Sequence, residues 1–284
     1  MKTLAEIQKE YFKKIDHLDL DLIIANVIKK PREFVLTHLE YEPTGAQLAK
    51  IRTFIQRRAK HEPLAYILGH KEFYGLNFKV TPSTLIPRPE TELLVELTIQ
   101  ETKNKKQKTN LIDVGTGSGS IVITLAKFLT SDVQKGHTMS FRGIDVSVEA
   151  LKIARQNAKL NLVSKKIKFV HGNLLDKIKN LNDSIIIANL PYLSKEVYNA
   201  TLPNVKKYEP KSALFSPHEG LQHYEELLEQ IAKLNPKDCT IFLEISPEQK
   251  IKLPKIIKTF LPEAKIEFTK DLAGKWRVCK IFKN

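Results

Sequence analysis

The chain has 284 residues, enough for two domains of ordinary size, and its 42% hydrophobic and 27% charged residues exclude disorder and fibrous architectures. A net charge of +14, from 46 Lys+Arg against 32 Asp+Glu, would suit a nucleic-acid partner, yet only eight of those bases are Arg, the residue fitted to bidentate phosphate and guanine recognition. The excess is lysine spread along the chain, so the charge reads as a solvated surface, with attraction of acidic partners a secondary possibility. Cys239 and Cys279 have neither redox nor metal-ligand spacing. No apolar run approaches the ~20 residues of a membrane helix, and the first residues, MKTLAEIQKEYF, carry acids and no apolar leader segment. An intracellular, metal-free protein without membrane attachment is expected.

Residues 1–70 read as helices. Leu48, Ile51 and Ile55 recur at three- and four-residue steps between Gly45 and Arg58, and Pro31 separates a dense apolar stretch (Leu18 to Ile28) from a segment containing Phe34, Val35 and Leu39. The pattern then changes to strict alternation in FYGLNFKV (73–80), which suits a strand, followed by Pro82, Pro87 and Pro89; a linking hairpin and domain boundary are placed at 72–88. Beyond a lysine-rich stretch at 103–108, short apolar strands alternate with helices. The strands are 111–114, 139–145, 166–170, 184–189 and 239–245, with helices at 119–129, 147–160 and 219–234, which predicts a parallel sheet covered on both faces. Two last strands, 265–269 and 276–282, are joined by a short loop containing Gly274 and must pair antiparallel. The expected fold is α/β, a mostly parallel seven-stranded sheet with a terminal antiparallel hairpin, preceded by a small all-α domain.

The first strand of this sheet runs into Gly115-Thr116-Gly117-Ser118-Gly119 and then into a helix. Glycines allow a sharp turn and let a ligand lie against bare backbone, while amides at a helix start face polar groups. The GxGxG spacing is neither the dinucleotide fingerprint nor a phosphate loop, and a glycine turn serving only strand-to-helix packing also accounts for it. Asp145 ends the next strand, 26 residues beyond Gly119, where a carboxylate can accept both hydroxyls of a ribose; a helix-capping role beside Ser147 and Glu149 is the plainer explanation. After the third strand, His171-Gly172-Asn173-Leu174 can meet an adenine ring. At the end of the fourth stands Asn189-Leu190-Pro191-Tyr192. An amide or aromatic amine nitrogen is a poor nucleophile that must be oriented. The Asn189 side-chain oxygen and the Leu190 carbonyl supply two acceptors for its N–H groups, Pro191 biases Leu190 toward extended backbone, and Tyr192 offers a flat face. In isolation the same tetrad is an ordinary turn. His218 and His223 read as surface or packing residues.

Asp113 with Gly115 to Gly119, Asp145 and the tetrad resemble class I S-adenosylmethionine-dependent methyltransferases acting on planar nitrogens. The stretches at 62–96, 205–214, 219–228, 243–249 and 270–278 are similar to the HemK/PrmC family, the glutamine methyltransferases of peptide chain release factors, over nearly the whole chain from Glu62. That resemblance implies a Rossmann-like methyltransferase domain (89–284), the hairpin (72–88) and a helical substrate-docking domain (1–71). It implies S-adenosyl-L-methionine as cofactor and, as substrate, the Gly-Gly-Gln glutamine of class I release factors, with no stable nucleic-acid partner; a monomeric cytoplasmic enzyme is expected. It places cofactor contacts on Asp113, Gly115, Thr116, Gly117, Ser118, Gly119, Asp145, Asn173, Leu174 and Asn189, and catalysis on Asn189, Leu190, Pro191 and Tyr192. Arg88, Glu90 and Glu92 fall beside the mouth of the crevice, or simply open a surface helix. Leu190 stands where the family has a first proline, as in the tetrad of ribosomal RNA adenine dimethyltransferases, and Asn173 where it has Asp. Adenine methylation of RNA or DNA, and methyl-donor or RNA binding without catalysis, stay open as alternatives.

Overall fold

The computed structural model describes residues 2–104, 109–129 and 138–283, so most of the lysine-rich stretch lies outside the described residues. The chain forms two compact units, one of Met1–His70 with Leu202–Tyr208, the other of Lys71–Thr201 with Glu209–Asn284.

In the first unit, α1 (Leu4–Tyr11) and α4 (Gly45–Ala59) each start with a reciprocal capping box, Thr3 with Glu6 and Thr44 with Gln47. Between them, α2 (His17–Ile28) is capped by Asp16, and α3 (Arg32–Thr37) begins directly after Pro31, which cannot continue the preceding helix. α5 (Leu64–Leu68) ends at a left-handed Gly69. Leu4, Ile7, Leu20, Ile23, Ile24, Val35, Ile51 and Ile55 form the core. Asp21, buried on α2, is compensated by Arg32 and Gln8. The later segment belongs here too: the Tyr208 hydroxyl donates to the Lys60 carbonyl at 3.0 Å.

The stretch expected as one strand is instead a tight hairpin, β1 (His70–Phe73) and β2 (Leu76–Lys79). Its turn falls at Tyr74 (φ 51°) and Gly75 (φ 72°). Two positive φ values are what a two-residue turn needs to match strand twist, and alternation continues across such a turn, hiding it in the sequence.

In the second unit, a 3-10 turn (Pro89–Thr91) leads into α6 (Glu92–Asn104). The sheet holds β3 (Thr109–Val114), β4 (Met139–Asp145), β5 (Ile167–His171), β6 (Ser184–Ala188), β7 (Cys239–Glu244), β8 (Lys265–Lys270) and β9 (Trp276–Lys283). Their order is β5-β4-β3-β6-β7-β9-β8, parallel through β7 and antiparallel in the last two pairings. Every residue of β6 and β7 is buried, because helices cover both faces. α6, α7 (Ser120–Leu129) and α8 (Val148–Leu160) close one core with Leu94, Val122, Ile123 and Ile187. Short α9 (Lys195–Ala200) and α11 (Pro217–Gly220) follow β6, with α10 (Pro203–Tyr208) of the first unit between them in the chain. They precede α12 (Gln222–Leu234) and, after β7, α13 (Gln249–Phe260); Tyr224, Leu227, Ile231, Leu253 and Ile257 close the other core. α13 contains Pro254, which obscures it as a helix in the sequence. Strand order reverses at β3, so the carboxyl ends of β3 and β6 flank the crevice where open α/β sheets bind ligands. No described helix is long and apolar enough to cross a membrane.

Candidate active site

The glycine loop is held in place before any ligand is considered. Gly115 and Thr116 both donate their amides to the Ile144 carbonyl at 2.9 Å, tying the loop to β4. Beneath it, Asp113 Oδ2 accepts from the Thr116 hydroxyl at 2.6 Å and the Val122 amide at 3.2 Å. Burial pushes this carboxyl up to about 7, against the pull of those two hydrogen bonds. Asp113 Oδ1 is buried without a hydrogen-bond partner among the described residues. Gly119 serves packing: at φ +81°, a Cβ there would lie 2.7 Å from Ile123 Cδ1 and 3.2 Å from Ala154 Cβ, where α7 meets α8. Gly115, Thr116, Gly117 and Ser118 line a cavity of about 370 Å³. Asp113 and Gly119 do not; they shape the loop from below and behind.

Asp145 lines the same cavity. Its Oδ2 accepts from the Gly117 amide and its Oδ1 from the Ser147 amide, each at 2.8 Å. Burial raises this carboxyl, and the amides oppose the rise. The cap of α8 is Ser147, whose hydroxyl accepts from Ala150 N at 3.1 Å. With the Val146 amide also close to it, Asp145 is held by the backbone on several sides and still has acceptor capacity left for a further donor. Asn173, exposed, and Leu174, buried at φ 54°, bring the loop after β5 to the cavity wall.

The fully buried β6, paired with β3, delivers Asn189, Leu190 and Pro191 to the same cavity, beside Gly115. Asn189 Nδ2 donates to the Thr91 hydroxyl at 3.0 Å, and that hydroxyl donates to Glu244 Oε2 at 2.7 Å. Glu244 is the last residue of β7, buried, and pushed up to about 7 chiefly by that burial. The Tyr192 hydroxyl turns to Glu244 Oε1 at 3.4 Å, and burial raises it well above the usual phenol range. Tyr192 borders a neighbouring cavity of about 220 Å³, with Leu193, Val197 and Gln249, rather than the one holding the other three residues of the tetrad. The tetrad is braced from behind, since the Tyr224 hydroxyl donates to the Glu244 carbonyl.

Of the three residues flagged ahead of α6, Arg88 lines the cavity, with its guanidinium on buried Glu209 at 2.6 Å. Glu90 is exposed, and Glu92 accepts from the Tyr74 amide at 2.9 Å, anchoring the hairpin; neither lines the cavity. Among the cavity and tetrad partners that the sequence does not assign to the site are Thr91, Glu244 and His223. Thr91 sits between the two flagged acids with no signal of its own. Glu244 had one, a carboxylate closing an otherwise apolar buried strand. His223 lines the cavity, half-buried, with Nδ1 2.8 Å from the Ser216 hydroxyl, and burial lowers its pKa. His218 pairs with Glu225 on the surface. No group of three or more His, Cys, Asp or Glu suited to a metal occurs among the described residues.

The arrangement suits a nucleoside-bearing ligand: a bare-backbone loop, a carboxylate lining the cavity, and a volume in the usual range for small-molecule sites. Comparison with known proteins fits this geometry. A PrmC N-terminal domain matches residues 7–69 and a methyltransferase domain residues 105–256. A release factor glutamine methyltransferase of Dictyoglomus turgidum is 35% identical over 266 residues, covering 93% of this chain and 90% of its own length. One from Clostridium botulinum is 34% identical over 268 residues, with the same two coverages of 93% and 90%. Among solved structures, the hMettl16 catalytic domain in complex with MAT2A 3′UTR hairpin 1 is similar at TM-score 0.58 and 13% identity, over 92% of this chain and 90% of that one. The N-terminal domain of human METTL16 in complex with SAH reaches TM-score 0.50 at 14% identity, over 92% and 93%. At such identities the structural likeness is one of fold.

Proposed function

The chain belongs to the release factor glutamine methyltransferase family, and we propose that it methylates the side-chain amide nitrogen of the Gly-Gly-Gln glutamine of class I release factors, using S-adenosyl-L-methionine. The observation that carries this reading is the meeting, in one cavity, of the Gly115–Ser118 loop and Asp145 with Asn189, Leu190 and Pro191.

The cofactor, when bound, supplies a methyl group made electrophilic by its sulfonium charge. Gly115, Gly117 and Ser118 would hold it along bare backbone, Asp145 would accept from its ribose hydroxyls, and Asn173 and Leu174 would border its base. A glutamine amide is nucleophilic on nitrogen only when its lone pair is aimed, because resonance otherwise delocalises it. Asn189 Oδ1 and the Leu190 carbonyl accept the two N–H groups, fixing the plane and direction of the target. Pro191 holds the Leu190 carbonyl by restricting its backbone. Arg88, fixed by Glu209, flanks the substrate side, and the helical unit, residues 1–71, docks the release factor. On this reading the protein acts in the cytoplasm as a monomer, with no stable nucleic-acid partner.

The test is transfer of labelled methyl from S-adenosyl-L-methionine to purified class I release factor, to rRNA and to DNA. Label on the release factor glutamine is expected; label only on nucleic acid would move the activity to adenine. Asn189→Ala should cut transfer to a small residual rate while calorimetry still detects donor binding. An equal loss of donor binding would remove Asn189 from the substrate side of the site.

A further inference from the structure

An asparagine amide has two ends of nearly equal shape and opposite chemistry, an oxygen that accepts and an NH2 that donates. To receive an N–H of the target, Asn189 must offer its oxygen; rotated by half a turn it would set donor against donor. Something in the fold has to choose.

The choice can be followed one proton at a time. The Thr91 hydroxyl carries a single hydrogen, and it is directed to Glu244 Oε2 at 2.7 Å. When Glu244 is ionised its carboxylate only accepts, and in that state this hydrogen bond has one possible direction. With its proton committed, the same hydroxyl can only accept from Asn189, and the group 3.0 Å away is Nδ2. Thr91 and Glu244 are 3% and 1% exposed, which keeps this chain of hydrogen bonds away from solvent exchange. Its parts come from distant sequence: Thr91 on the turn before α6, Glu244 at the end of β7 and Asn189 just beyond β6, the strand paired with β7.

We propose that Thr91, its proton held by Glu244, is the positioning residue that sets which end of the Asn189 amide faces the substrate. The proposal rests on the glutamine-methylation reading above. Thr91→Val keeps the shape and removes the hydroxyl, freeing the Asn189 amide to present either end.

The test uses the full chain, purified class I release factor and labelled S-adenosyl-L-methionine. Loss of one buried hydrogen bond at the target predicts a fall in kcat of roughly 10–100-fold for Thr91→Val, with donor affinity held within about twofold. Thr91→Ser, which retains the hydroxyl, should recover most of the lost kcat. In an Asn189→Ala background, Thr91→Val should cost nothing further, because the residue through which it acts is gone. If Thr91→Val does not fold, Thr91→Ala, which only deletes atoms, carries the same expectations. An unchanged kcat in Thr91→Val, a serine variant as impaired as the valine, or a full second loss in the Asn189→Ala background would each overturn the proposal. A wild-type protein that labels no release factor would overturn the reading beneath it, a result separable from the others because it needs no variant.

Discussion

Replacing Gly220 by alanine should disable the site from outside the cavity. Gly220 adopts φ +85° and directs its bare face at the backbone of the Asn189–Tyr192 tetrad: an added Cβ would overlap the Tyr192 carbonyl oxygen and lie 2.9 Å from its carbonyl carbon. Comfortable carbon–carbon contact begins near 3.5 Å, so one of the two backbones must retreat by about 0.6–1 Å. Gly220 is poorly placed to move, since its carbonyl accepts from Gln249 Nε2 at 2.7 Å and Gln249 in turn accepts from the Ser246 amide at 3.0 Å. The tetrad therefore moves. A misplacement near 1 Å of reacting groups can cost about 10²-fold, and left-handed backbone at a non-glycine residue adds roughly 1–2 kcal/mol of instability. Gly220→Ala is expected to lower kcat by about 10–100-fold at saturating donor and release factor and to lower the melting temperature by a few degrees, with donor affinity by calorimetry little changed. A kcat within about twofold of wild type would show that the tetrad is not fixed by this contact.

Two further outcomes follow from the cofactor side. Asp145→Ala should weaken donor binding by roughly 10–100-fold, the worth of charge-assisted hydrogen bonds to a carboxylate; unchanged calorimetric affinity would return Asp145 to holding Gly117 and Ser147 alone. Asp113, raised to about 7, favours the folded state most when protonated, so its contribution is full below pH 3.8 and is lost as pH climbs through about 7. Asp113→Asn should therefore flatten the decline of stability between pH 5 and pH 7 by up to about 1.4 kcal/mol per pH unit, and parallel melting curves for the two proteins would contradict the burial assigned to this carboxyl.

The sheet was legible because its strands are short, apolar and punctuated, and all seven fall within a residue or two of their expected bounds. The hairpin was misplaced because Tyr74 and Gly75 turn the chain without breaking its alternation. α13 went unseen because Pro254 reads as a breaker, although the helix carries it. In the site, residues directly following a strand, such as Gly115 and Asn189, could be placed from topology alone. Thr91 and Glu244 could not: they lie 153 positions apart, and only the packing of the segment before α6 against the end of β7 makes them partners. Glu92, placed at the crevice mouth by the family resemblance, instead accepts from the Tyr74 amide.

The segment Leu202–Tyr208 gives the helical unit a property that an amino-terminal appendage would lack. Part of that unit is encoded inside the methyltransferase sequence, so the chain passes between the units three times rather than once. Recombination at a single point near residue 70 would thus separate Tyr208 from the Lys60 carbonyl it binds. A functional graft of this unit onto a relative must carry both stretches, which ties the inheritance of the two units together and leaves little scope for exchanging one as a module.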